Sequence, residues 1–142
     1  GRVSKAMLLL ATAFAAALTY GYGDPAMLAL RLAARNGNMA ALTSIVQSQG
    51  RDGLDLDLAF TEASSYGRIN AMKFLIARGA DDFGGALRKA ALRNQIAAVR
   101  YLLKSGVGLH ETDLWLARLA AETADAAETE FLLVTHMMMM RQ

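Results

Sequence analysis

The chain has 142 residues, 54% apolar and 20% charged, with a formal net charge of +2. That length and apolar content suit one folded domain with a real core and exclude a disordered chain. The absence of cysteine excludes disulfides, thiol catalysis and thiolate metal sites, and so small a charge gives no polyanion-binding signal by itself. A single Pro, abundant Ala and Leu, and no alternating apolar run of useful length point to an all-α chain.

The sequence opens at Gly1-Arg2, which reads as a processed, tagged or partial chain. "AMLLLATAFAAALTY" (6–20) follows Arg2 and Lys5, the pattern of a signal peptide. Its uncharged stretch falls short of the roughly 20 residues that a bilayer span needs. The preferred reading is helix packed on the body, with a signal or membrane anchor as the alternative. Phe14, Ala17-Leu18 and Gly21 follow a spacing that recurs downstream, so residues 1–23 read as an amino-terminal cap or a decayed repeat.

From residue 24 the chain repeats itself. The pairs Ala33-Ala34, Ala63-Ser64, Ala90-Ala91 and Ala120-Ala121 are spaced by 30, 27 and 30 residues. Nine residues after the first member of each pair stand Leu42, Met72, Val99 and Thr129. The apolar pairs Ile45-Val46, Leu75-Ile76, Leu102-Leu103 and Leu132-Leu133 follow. Small pairs let helices approach closely. Gly37, Gly67 and Asn94 tolerate the left-handed backbone that ends a helix, and apolar residues at i, i+3 and i+4 give a second helix one buried stripe. Gly79 and Gly106 then stop that second helix. Each unit is a helix, a tight turn, a helix and a loop, and one such hairpin must stack on its neighbours to bury its apolar face. The units are 24–51, 52–81, 82–108 and 109–136, with 137–142 as a tail. The fourth has Ala124 where the others turn, and polar Thr129 on its stripe.

"ASSYGRINAMKFLIARGAD" (63–81) resembles the core of an ankyrin repeat. "ALRLAARNGN" (29–38) and "ALRKAALRNQ" (86–95) resemble a shorter variant with Ala-Leu-Arg in place of Thr-Pro-Leu-His, similar to repeats common in giant viruses and some bacteria. The likeness covers about residues 24–135. It implies an α-solenoid of four to five stacked helix-turn-helix repeats with short inter-repeat loops, binding a partner protein through its concave face. By that resemblance the candidate partner-binding residues are Arg31, Arg35, Tyr66, Arg88, Arg93, Trp115 and Arg118, chosen for helix-start, post-pair and loop positions. Tyr, Trp and Arg are also enriched at interface hot spots. Tyr66 has burial between units as an even alternative, and burial is preferred for Trp115 and Phe83.

Catalytic signals are missing. His110 and His136 form no metal spacing, so no metal or cofactor is expected. Carboxylate pairs such as Asp81-Asp82 read as caps and turns, and the glycines of "GGALRK" (84–89) shape a turn rather than an anion site. Residues 86–104 carry Arg88, Lys89, Arg93, Arg100 and Lys104 without an acid, whereas 111–130 carry six acids against Arg118. Salt-bridged solvated faces are the first reading and a protein-binding patch the second. Without aromatic interleaving, nucleic acid ranks last. The methionines of "HMMMM" (136–140) read as a closing helix end. The functional expectation is a non-catalytic, cytoplasmic protein-interaction module needing no small-molecule substrate. The alternatives are an effector or immunity-type inhibitor of a target enzyme, export if 1–21 is a signal, or the targeting part of a longer enzyme.

Overall fold

A computed structural model describes residues 4, 5, 7, 8, 11, 12, 15, 24–49 and 54–142. Eight helices have both ends among them, and no strand occurs there: α1 (Pro25–Asn36), α2 (Met39–Gln49), α3 (Leu56–Ser65), α4 (Ile69–Ala77), α5 (Phe83–Leu92), α6 (Ile96–Ser105), α7 (Glu111–Thr123) and α8 (Ala127–Met140). Lys5 and, in the first apolar run, Met7, Leu8, Ala11, Thr12 and Ala15 are helical and exposed, and the rest of that run lies outside the described residues. No helix among the described residues is long and apolar enough to cross a membrane.

One turn chemistry builds every hairpin. Gly37, Gly67, Asn94 and Asp125 all have φ between 54° and 68°. The N–H of the residue after each reaches back to the carbonyl of Ala33, Ala63, Ala90 or Ala121, at 2.8–2.9 Å. These bonds satisfy a carbonyl that the helix end would otherwise orphan, and they set a common origin for the units.

That origin corrects the expected alignment of the fourth unit. Its anchor is Ala121 rather than Ala120, its turn residue is Asp125 rather than Ala124, and the spacings become 30, 27 and 31 residues. The slip follows from two features. Helix α7 has 13 residues and starts early, held by the His110 N–H donating to Asp113 Oδ2 at 2.9 Å. Ala120-Ala121 also mimics the earlier Ala pairs, whereas the true pair is Ala121-Glu122. Thr129 therefore matches Ala98, not Val99.

Helices pack against neighbours in chain order, in two rows. Each odd-numbered helix packs on the next odd one, each even on the next even, and each hairpin closes on itself. The odd row is the tighter, because Ala29, Ala33, Ala34, Ala59, Ala63, Ala86, Ala90, Ala91, Ala117 and Ala121 are all fully buried there. The even helices bury Leu42, Ile45, Met72, Leu75, Val99, Leu102 and Leu133, whose bulk holds their backbones apart. Leu30, Phe60 and Leu87 stand seven residues before their turns and are fully buried. Phe60 meets Phe83 of the next unit edge-on, with ring centroids 5.5 Å apart, so this register faces the following unit.

The turns interlock between units. A Cβ on Gly67 would lie 2.5 Å from Gln95 Oε1, and one on Gly37 would lie 3.0 Å from Arg68 Cδ. Arg68 and Gln95 occupy the same place after their own turns, each packed on the bare glycine of the unit before. In the third unit the turn residue has a side chain, Asn94, and the next unit's matching residue shrinks to buried Ala126. Asn94 Oδ1 then accepts from Thr129 Oγ1 at 2.8 Å, which satisfies the fully buried Thr129. Replacing Gly67 by Ala should cost about 1–2 kcal/mol of backbone strain alone, since at its φ of 68° an alanine Cβ crowds the following carbonyl oxygen. Urea denaturation would show the loss, and adding Gln95→Ala should recover only the steric part.

Short loops hold the units in phase. Asp57 Oδ1 accepts from the N–H groups of Asp81 and Asp82, at 2.8 and 3.1 Å, so one unit caps the start of the next. The glycines of "GGALRK" lie in the first turn of α5. A Cβ on Gly84 would strike the Asp113 carboxylate, and one on Gly85 that of Asp82. Gly85 N–H donates to Asp82 Oδ1 at 2.9 Å. Protein carboxylates thus fill the space around this helix start.

Candidate partner-binding surface

The odd helices end in C-terminal turns that line up along one side of the stack. Arg35 lies in the last turn of α1, Tyr66 caps α3 and Arg93 caps α5. The Arg35 guanidinium carbon sits 4.5 Å from the centre of the Tyr66 ring, and that of Arg93 sits 4.2 Å from it. The cations come from the unit before and the unit after. Tyr66 thus stands between two arginines in a ladder spanning three consecutive units. Each contact is worth about 0.5–1 kcal/mol at an exposed site. Arg35 and Arg93 are exposed, and Tyr66 is half-buried. Among the described residues no carboxylate forms an ion pair with Arg35, Arg68, Arg88, Lys89 or Arg93.

Arg68 joins the ladder although its side chain was not singled out by pattern. Its Nε donates to the Arg35 carbonyl oxygen at 3.0 Å. The place after a turn carried no expected role; only the packing against Gly37 reveals it. Arg31, one turn before Arg35 on α1, reaches Glu62 of the next unit at 3.8 Å. Between α1 and α3 runs a groove of about 530 Å³ lined by Met27, Leu28, Leu32 and Leu58, with Arg31, Arg35 and Glu62 among its polar rim. Arg88 is exposed on α5 at the position equivalent to Arg31.

The other two candidates lie elsewhere. Trp115 is 49% exposed, against the preferred expectation of burial. It lines a separate recess with Glu111, Thr112, Met137 and Arg141, where Arg141 bonds Glu111 at 2.8 Å. Phe83, by contrast, is buried as expected. Arg118 was expected beside Arg31 and Arg88 as a helix-start position, but the corrected register puts Leu119 there. Arg118 takes the place of Leu30, Phe60 and Leu87, and Glu130 takes that of Leu42, Met72 and Val99. The two meet at 3.5 Å, so an apolar pair of the inner units becomes a half-exposed ion pair.

Among the described residues no three metal-ligating side chains converge. No protein-family model matches the chain, and no curated protein matches it.

Proposed function

We propose that this protein is a small α-solenoid of ankyrin type whose odd-helix face binds another protein and carries out no catalysis. The Arg35–Tyr66–Arg93 ladder carries this reading. Three separate units place interface-type side chains in one exposed stack. Stacked helix pairs with contacts mainly between neighbours support the repeat assignment. Small side chains in the odd row and large ones in the even row make each unit a wedge, narrow at the odd helices. Stacked wedges of this kind would curve toward their narrow side, which supports reading the odd-helix face, with its ladder, as the concave one. A cation–π stack also holds arginine side chains in place before a partner arrives, which lowers the entropy lost on docking.

Affinity capture with the full chain, read by mass spectrometry, tests the reading. A Tyr66→Ala/Arg93→Ala double variant with unchanged helical circular dichroism should lose a partner that the parent captures. If the two capture the same set, the ladder is not the binding face.

A further inference from the structure

We propose that the ladder and the α1/α3 groove form one docking site for an acidic peptide segment. The partner places a carboxylate on Arg35 and Arg93 and a large apolar side chain among Leu28, Leu32 and Leu58. This rests on the protein-binding reading above and names the partner's chemistry.

The ladder's own geometry asks for an anion. A guanidinium stacked on a ring uses its face and leaves its in-plane N–H donors free. The guanidinium carbons of Arg35 and Arg93 both lie over the Tyr66 ring, 4.5 and 4.2 Å from its centre, and neither arginine has an ion-pair partner among the described residues. Two cations held on one ring repel each other, and a carboxylate bound in the plane of either guanidinium relieves that repulsion. Planar, bidentate recognition of carboxylate is the geometry that arginine favours. Arg68, tied to the Arg35 carbonyl, adds a third positive charge alongside.

The groove supplies the second half. Arg35 belongs to both features, since it lines the groove and stacks on Tyr66. Leu28 precedes Arg35 by seven residues on the same helix, so the two are about 10 Å apart along its axis. An extended peptide covers that distance in about three residues. The expected ligand therefore carries Asp or Glu with a large apolar residue about three positions away. The same geometry disfavours single-stranded nucleic acid, whose bases need open aromatic faces to stack on. The guanidiniums already cover the Tyr66 ring, and the net charge is only +2.

The test is selection from a random peptide display library on the immobilised full chain, followed by anisotropy titration of the enriched peptides. Acidic peptides with the apolar residue at that spacing should be enriched. Arg35→Gln and Arg93→Gln should each weaken them by about tenfold, the size of a lost charged hydrogen bond. Tyr66→Phe should retain binding, Tyr66→Ala should lose it, and Leu58→Ser should weaken it. Arg100→Gln on the even row should change nothing. Enrichment of neutral or basic peptides, no enrichment, indifference to the two glutamine variants, or tighter binding of single-stranded DNA would each overturn the assignment. If the peptides fail while partner capture still depends on Tyr66 and Arg93, the acidic-peptide assignment falls and the protein-binding reading stands. If capture is also indifferent, both fall.

Discussion

Phe60→Ala is expected to lower the unfolding free energy by about 3–5 kcal/mol, the range for deleting a large buried aromatic. Phe60 is fully buried in the odd row and faces the third unit through Phe83. The rings cross at 78°, edge to face, an arrangement worth about 0.5–1.5 kcal/mol beyond the area it buries. The site has little freedom to collapse. Fully buried Ala59, Ala63 and Ala86 surround the row with backbone rather than movable side chains. Gly108 backs Phe83 so closely that a Cβ there would sit 2.7 Å from the ring. The cavity should therefore persist. Urea unfolding followed by circular dichroism would measure the loss, and Phe60→Leu should cost distinctly less because it fills most of the same space. A loss under about 1 kcal/mol, the centre of the distribution for point changes generally, would show that Phe60 is not a packing centre between units.

Much of the fold was legible because small residues and left-handed turn residues act through their identity. Ala33, Ala63 and Ala90 are where helices touch, and Gly37, Gly67 and Asn94 are where the chain must adopt positive φ. Spacing alone finds such positions. It failed at Ala121, where the preceding Ala120 offered an equally good pair, and only the bond from Ala126 N–H to Ala121 decides between them. The Arg35–Tyr66–Arg93 ladder was legible as residues but not as an object. Arg35 stands two places after its anchor, whereas Tyr66 and Arg93 stand three after theirs, so no fixed offset predicts that they meet. Long side chains close that difference by reach, which a one-dimensional pattern does not encode. Trp115 was misread for a related reason. Burial of aromatics is a sound prior, but the early start of α7 carries Trp115 into a recess shared with Met137 rather than into the seam between odd helices.

Leu87 and Arg118 occupy one position of the repeat, seven residues before Asn94 and Asp125. The same place in the repeat is apolar where another unit covers it and charged in the fourth unit. Leu87→Arg would put a guanidinium between the third and fourth units, at a fully buried site in a row of fully buried alanines. An uncompensated buried charge of this kind costs about 3–5 kcal/mol, so the variant should unfold at much lower urea or fail to fold. Arg118→Leu with Glu130→Val should behave in the opposite way. Replacing an ion pair by apolar residues of similar size is neutral or stabilising by about 1–4 kcal/mol. Here the pair is 39% and 31% exposed, which places the gain toward the low end. The new apolar face would resemble that of Leu30–Leu42 or Leu87–Val99, but without a described unit to cover it. It should then promote concentration-dependent self-association, visible by sedimentation, while the thermal midpoint holds or rises. Had Arg118 instead been equivalent to Arg31 and Arg88, Arg118→Leu would alter neither stability nor association, and Leu119→Arg rather than Leu87→Arg would be the damaging change.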